Sequence, residues 1–180
     1  MNIETSEIGF DAVEDWSVED FYTFFHQVNI LYNRLAVLED IKKNDRKVKL
    51  KNALYGSLSR VKDEQRLTIK SIEIHSPGDF NLLGVAQIIG QLRGLLKDIL
   101  FKNRQEREKK DETIRHQKVM NNLKEQAAKQ RVLSNQIQIM QGLGYDQEQI
   151  DIGIKALSDP LEQIQSISVK KQVALQSPNE

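Results

Sequence analysis

The sequence predicts a mostly helical α+β protein, with a small head built on a minimal β-sheet, a long protruding helix and a C-terminal helical hairpin. Three observations carry that prediction. The stretch "WSVEDFYTFFHQVNILYNRLAVLED" repeats apolar residues at intervals of three and four, "RLTIKSIEIHS" alternates apolar and polar residues as a strand does, and residues 102–118 are almost wholly polar, with seven bases, four acids and one aliphatic residue, Ile114. The expected boundaries are 1–100 for the head, 101–168 for the charged helix and hairpin, and 169–180 for a disordered tail.

The first element expected is a strand over residues 2–10, where Ile3, Ile8 and Phe10 are separated by residues tolerated in strands. A helix follows over 17–39. Ser17 with Asp20 three residues on resembles a capping box, Trp16 stands where a staple residue belongs, and Phe21, Phe24, Phe25, Val28, Leu31, Tyr32, Leu35 and Leu38 form a wide apolar stripe. Residues 42–63 are ambiguous, since "KVKLK" alternates while Leu50, Leu54, Leu58 and Val61 are spaced helically; the longer pattern favours a helix over 48–62.

In the strand at 66–75, Leu67 and Ile69 keep one register and Ile72 and Ile74 another, so a bulge near Lys70 and Ser71 is needed to keep one face apolar. Pro77 and Gly78 in "SPGD" suit a type II turn, after which Asp79 or Asn81 is expected to cap a helix running 82–101. A lone strand is unstable, and the only other strand-like segment is the N-terminus, so 2–10 is expected to pair with 66–75. The rival expectation is an edge that waits for another subunit or protein.

The run 82–101 is the most apolar of the chain, yet it contains Gly84, Gly90 and Gly94, each costing about 1 kcal/mol in a helix interior. Close approach of another backbone, or mobility, is the expected reason. A membrane span is disfavoured because Arg93, Lys97 and Asp98 interrupt the run, each at about 2.5 to 3.5 kcal/mol at mid-bilayer. Beyond it, the apolar pattern resumes at Met120, Leu123, Ala127, Ile137 and Met140, with Gln130 and Ser134 where a strong coiled coil would place aliphatics. A helix from Lys97 to Gln141 would reach about 67 Å and protrude, which suits a weak or antiparallel coiled coil. Gly142 or Gly144 then ends it, Asp146 caps a short helix, and Pro160 after Asp159 opens another.

Composition narrows the function classes. The chain has no cysteine, so thiolate metal sites, disulfides and a Cys nucleophile are excluded. The acidic start lacks the basic and apolar regions of a secretion signal, and a cytoplasmic location is expected. His26, His75 and His116 fall in separate elements with no carboxylate spacing that suggests a metal site, and "HSPGD" is explained by its turn better than by nucleophilic chemistry. The glycines of 84–94 are not a phosphate loop. No cofactor, metal or small-molecule substrate is expected, and neither is enzymatic activity.

The net charge of zero conceals an asymmetry. Residues 1–20 hold seven acids and no base, whereas 42–51 hold Lys42, Lys43, Arg46, Lys47, Lys49 and Lys51 against Asp45. Mutual compensation of the two segments is the expected reading; contact of the basic run with nucleic acid is the alternative, although no aromatics interleave it.

The turn "LGYDQEQI" followed by "IKAL" resembles the loop and helix of ubiquitin-associated-like three-helix modules over about twenty residues, and no binding residues follow from it. The order "EDFYTFFHQVNILYNRL", "SIEIHSPGDFNLLG", a charged helix and "LGYDQEQI…DPLEQIQ" resembles a group of uncharacterised bacterial proteins over most of the chain. That resemblance implies an α+β head with a helical extension and implies no activity. The function expected is therefore a non-enzymatic scaffold or adaptor that associates with itself or another protein. The residues expected to carry it are Ile69, Ile72 and Ile74 of the strand, Gly84, Gly90 and Gly94, and Met120, Leu123 and Ile137 of the long helix. Peripheral membrane attachment through 82–101 is a further alternative.

Overall fold

A computed structural model describes residues 3–45, 47–73, 78–108 and 133–176. Four antiparallel strands, β1 (Thr5–Ala12), β2 (Thr68–Glu73), β3 (Gly78–Val85) and β4 (Ala174–Leu175), form one sheet in the order β2-β3-β1-β4. Among the described residues five α-helices accompany it: α1 (Val18–Asn44), α2 (Leu50–Tyr55), α3 (Ala86–Glu108), α4 (133–142) and α5 (Gln147–Lys171). α1 lies on the sheet through Phe21, Phe24 and Phe25, and α2, α3 and α5 pack against it. The mostly helical α+β class is thus as expected.

The start of α1 follows from local chemistry. Ser17 Oγ accepts the Asp20 N–H at 3.1 Å and donates to Asp20 Oδ2 at 2.7 Å, which satisfies one orphan donor of the first turn. Trp16 stacks edge-on against Phe21, ring centroids 6.2 Å apart, in the arrangement of a hydrophobic staple. Phe24 then meets Phe10 of β1 at 5.3 Å, while Phe21 and Phe25 meet Phe80 of β3 at 5.7 and 5.3 Å. This aromatic layer fastens the helix to the two central strands.

The expected pairing of the two strand-like segments is corrected. β1 and β2 do not pair; β3 lies between them, with Ile8 opposite Leu82, Phe10 opposite Phe80 and Ala12 opposite Gly78. Residues 78–85 are therefore a strand, and the helix expected from Leu82 begins at Ala86. Burial of Gly78, Phe80, Leu82 and Gly84 in alternation shows the period of two. The strand runs into α3 without an intervening loop, so the apolar run carries no punctuation in sequence. Pairing on both sides then overrides the local preference. The expected register change does occur, as a bulge between Ile69 and Ser71, which puts Ile69 opposite Leu82 and Ile72 opposite Phe80.

Gly84 is a residue of the central strand. A Cβ there would lie 2.8 Å from the Tyr32 ring, and the missing side chain is what lets Tyr32 reach through. The Tyr32 hydroxyl donates to Gln65 O at 2.8 Å and accepts the Val85 N–H at 2.9 Å, which pins the turn at 63–65 and the β3–α3 junction to α1.

Three further expectations change. The helix at 48–62 is only Leu50–Tyr55, ended by Gly56 and followed by 3-10 turns at 57–59 and 63–65, so Leu58 is exposed while Val61 is buried. Pro160 does not start a new helix but sits inside α5. Proline cannot bond to the carbonyl four residues back, and that carbonyl, Ala156 O, accepts instead from Arg34 Nη1, whose guanidinium also lies over the Tyr55 ring at 4.8 Å. Finally, residues 169–176 are no tail. α5 continues through Lys171, and β4 pairs Leu175 with Phe10 and Ala174 with Asp11.

The expected boundary near residue 100 does not separate two packed bodies, because α5 runs along α1. The stripe of α1 is wide enough to need cover on two sides. Beyond the sheet, Leu31, Leu35 and Leu38 join a buried core to which α5 adds Ile150, Leu157, Leu161 and Ile164. No helix among the described residues is long and apolar enough to cross a membrane. Ser76 and Pro77 of the expected turn, Ile74, the base Arg46, and Met120 and Leu123 of the stretch expected to form a coiled coil lie outside the described residues.

Candidate interaction surface

The two edges of the sheet are finished differently. At one edge β4 contributes only two paired residues, and Gln176 N–H extends the ladder to Gly9 O at 3.0 Å. Beyond it, Arg93 of α3 donates to Gln176 O and to Glu7 O, each at 3.0 Å, so a guanidinium occupies the place of the next strand residue. The Gln176 side chain lies over Gly9, where a Cβ would fall 1.9 Å from its Oε1. That edge is closed by side chains.

The other edge is β2, whose outer side pairs with no strand among the described residues. Five of its six residues are exposed, and Ile72 is half-buried. Ile69 is on the helix-facing side of the sheet, yet remains 55% exposed, because α1 sits over β1 and β3 and leaves β2 uncovered. With Phe24 facing β1 and Phe21 and Phe25 facing β3, the helical period puts the next strip of α1, Val18, Tyr22 and His26, on its β2 side. Val18 is 87% and Tyr22 64% exposed, and Tyr22 stacks on the His26 ring at 5.4 Å. Ile69, Ile72, Val18 and Tyr22 thus frame an apolar ledge beside an open edge.

On the opposite face of the sheet, Lys70 reaches across β3 to the Glu7 carboxylate, and Asn81 Nδ2 donates to Ser71 Oγ at 3.1 Å and Asp79 Oδ2 at 3.2 Å. That face is polar and solvated. Of the residues singled out from sequence, Ile69 and Ile72 are brought together here. Val18 and Tyr22 were missed; their signal was an apolar residue and an aromatic lying off the main stripe of the helix.

The other expected contact residues disperse. Gly90 and Gly94 are exposed on α3, and among the described residues nothing lies within 4 Å of a Cβ at either, so the expected close backbone is not there. Ile137 is half-buried against the core, and its neighbour Gln136 is buried. Gln136 Nε2 donates to Gln91 Oε1 at 3.2 Å, and Gln91 with Gln87 donates to the buried carboxylate of Glu39, a polar chain that ties α4 and α3 to α1. Both Glu39 oxygens are engaged in it, as a structural carboxylate requires.

The basic segment is placed at the far end of α1, which corrects the expected compensation. α1 has 27 residues, a length of about 40 Å, with the acidic start at one end and the lysines at the other. The acids find other partners. Asp20 binds Lys170 at 2.9 Å and Lys171 at 3.1 Å, Glu7 binds Lys70, and Glu14 accepts from Gln172 at 2.7 Å. Hydrogen bonds from Lys170, Ser17 and Lys171 hold the Asp20 carboxyl well below the usual carboxylate range. Lys42, Lys43, Lys47, Lys49 and Lys51 are exposed, and no ion pair engages them among the described residues. Lys42 and Lys43 are in the last turn of α1, Lys51 is in α2, and the segment between, with Lys47 and Lys49, is anchored to α5 and the residues before it: the Tyr145 hydroxyl accepts the Val48 N–H at 3.2 Å and Gln149 Oε1 accepts the Leu50 N–H at 3.0 Å. Asp146, meanwhile, caps α5 by accepting from Gln149 N at 2.9 Å.

Among the described residues no group of three or more His, Cys, Asp or Glu side chains is arranged to hold a metal. Comparison with protein-family models, with curated proteins and with solved structures finds no match.

Proposed function

We propose that this is a non-enzymatic interaction protein, a self-associating scaffold or an adaptor, whose contact surface is the β2 edge with the adjoining strip of α1. The observation that carries the reading is the asymmetry of the sheet, one edge sealed by Arg93 and Gln176 and the other left with exposed backbone and isoleucine. An open strand beside an apolar ledge is the surface that strand addition uses: main-chain bonds supply affinity, and alternate side chains supply selectivity. The test is a photocross-linking amino acid at position 69, compared with one at position 47, in the native cell. Protein adducts at 69 that disappear when Ile72 is replaced by Lys are the expected result. Adducts at 47 alone, or none at either position, would overturn the reading.

A second reading has its own support. Five exposed lysines at the end of α1, in the anchored segment after it and in α2 suit phosphate contacts, as an accessory protein that binds nucleic acid would make. Binding that weakens steeply with salt and is lost on replacing Lys47, Lys49 and Lys51 with Glu would support it. No binding to duplex or single strands at low salt would remove it.

A further inference from the structure

The residues of β2 are complementary to themselves, and from this we infer that the occupant of the open edge is the β2 strand of a second copy, paired antiparallel about a two-fold axis between Lys70 and Ser71. The inference rests on the proposed contact surface and names its partner. In "TIKSIE", Thr68–Glu73, the two isoleucines are placed symmetrically about that point. Pairing there sets Ile69 opposite Ile72 of the second copy, and Ile72 opposite its Ile69.

The bulge makes this consequential. In an unbulged strand residues 69 and 72 would point to opposite faces, but the shift between Ile69 and Ser71 turns both towards α1. Four isoleucines then adjoin across the axis on the helix side, next to the Tyr22 rings of both copies. Directly opposed apolar residues are what stabilises a strand pair, and residues opposite one another share a face.

The other face of the strand is polar, with Lys70 and Glu73 exposed there. A lysine and a bulge on an edge ordinarily guard it against pairing. Here Lys70 is drawn across the sheet to Glu7, off the edge, and does not guard it. The result is one continuous sheet of eight strands with an α1 helix of each copy side by side above it.

The experiment is light scattering after size exclusion over a concentration series, with amide exchange read at 68–73. The wild-type mass is expected to rise to twice that of the chain as exchange at 68–73 slows. Ile69→Lys should weaken dimerisation by about a hundredfold, because each substitution is felt on both sides of the axis. Ile72→Lys should weaken it by a similar factor, because the register sets residue 72 opposite Ile69 of the second copy. The urea midpoint of the dissociated Ile69→Lys chain reports that it still folds.

A dimer that persists in Ile69→Lys without protection at 68–73 would overturn the inference. So would an Ile72→Lys chain that dimerises as the wild type does. A wild-type chain that stays monomeric at about 1 mM overturns it too, at the affinity a specific contact must exceed. In that case protein adducts at position 69 would leave the interaction reading standing with a different partner, and their absence would remove both.

Discussion

The sealed edge of the sheet and the open one are built from similar material and differ in what the rest of the chain does to them. β1 would expose its outer backbone, but α5 returns the chain so that β4 covers Gly9 to Asp11, and Arg93 covers Glu7. β2 is longer than β4, carries two isoleucines, and receives neither a strand nor a helix among the described residues. The difference teaches that edge exposure here is not a by-product of a small sheet. The fold closes one edge with a C-terminal segment and an arginine, and among the described residues it covers the other with neither strand nor helix.

The comparison is broken most severely by Phe10→Ala. Phe10 is fully buried, pairs with Leu175 and packs on Phe24, so its truncation should cost about 3 to 5 kcal/mol, read from the urea midpoint. Arg93→Met should come next, at about 2 kcal/mol for two charged hydrogen bonds. Its more telling sign is faster amide exchange at 174–176 and at Gly9, with exchange at 68–73 unchanged in the dissociated chain. Equal acceleration at both edges would mean that Arg93 supports the sheet generally and does not seal one side.

Acid should open the sealed side selectively. The Asp20 carboxyl titrates below its unfolded value because Lys170, Ser17 and Lys171 hydrogen-bond its charged form. The folded state therefore binds fewer protons at this site than the unfolded state, so its contribution is complete above about pH 4 and declines as pH falls further. Urea midpoints measured at pH 7 and pH 3 should fall further in the wild type than in Asp20→Asn. Identical declines would show that the clasp between α1 and the end of α5 does not couple to this proton. The smallest effect belongs to the open edge. Ile69→Ala in dilute, dissociated protein should change stability by no more than about 0.5 kcal/mol, since most of that side chain is already in water.

Local chemistry was legible wherever the cause lay within a few residues. Ser17, Asp20, Trp16 and Phe21 specify how α1 starts, Asp146 how α5 starts, and the change of phase at Lys70 and Ser71 specifies the bulge. β3 was not legible, because its apolar alternation merges into that of α3 and only pairing on both sides separates them. Of the ledge, Ile69 and Ile72 could be read from alternation. That Val18 and Tyr22 stand beside them depends on how α1 crosses the sheet.

By itself the sequence determined the class of fold, the capped helix, the bulged strand and the segregation of acids from bases. Tertiary structure decided the strand order, the continuity of α5 through Pro160, and which edge and which charges are left unsatisfied. The physical reason is the range of the interactions. Caps, staples and register are closed by neighbours in the chain. Ala156 O is satisfied by Arg34, Glu7 O by Arg93 and Val48 N–H by Tyr145, partners 122, 86 and 97 residues apart whose meeting no local pattern encodes.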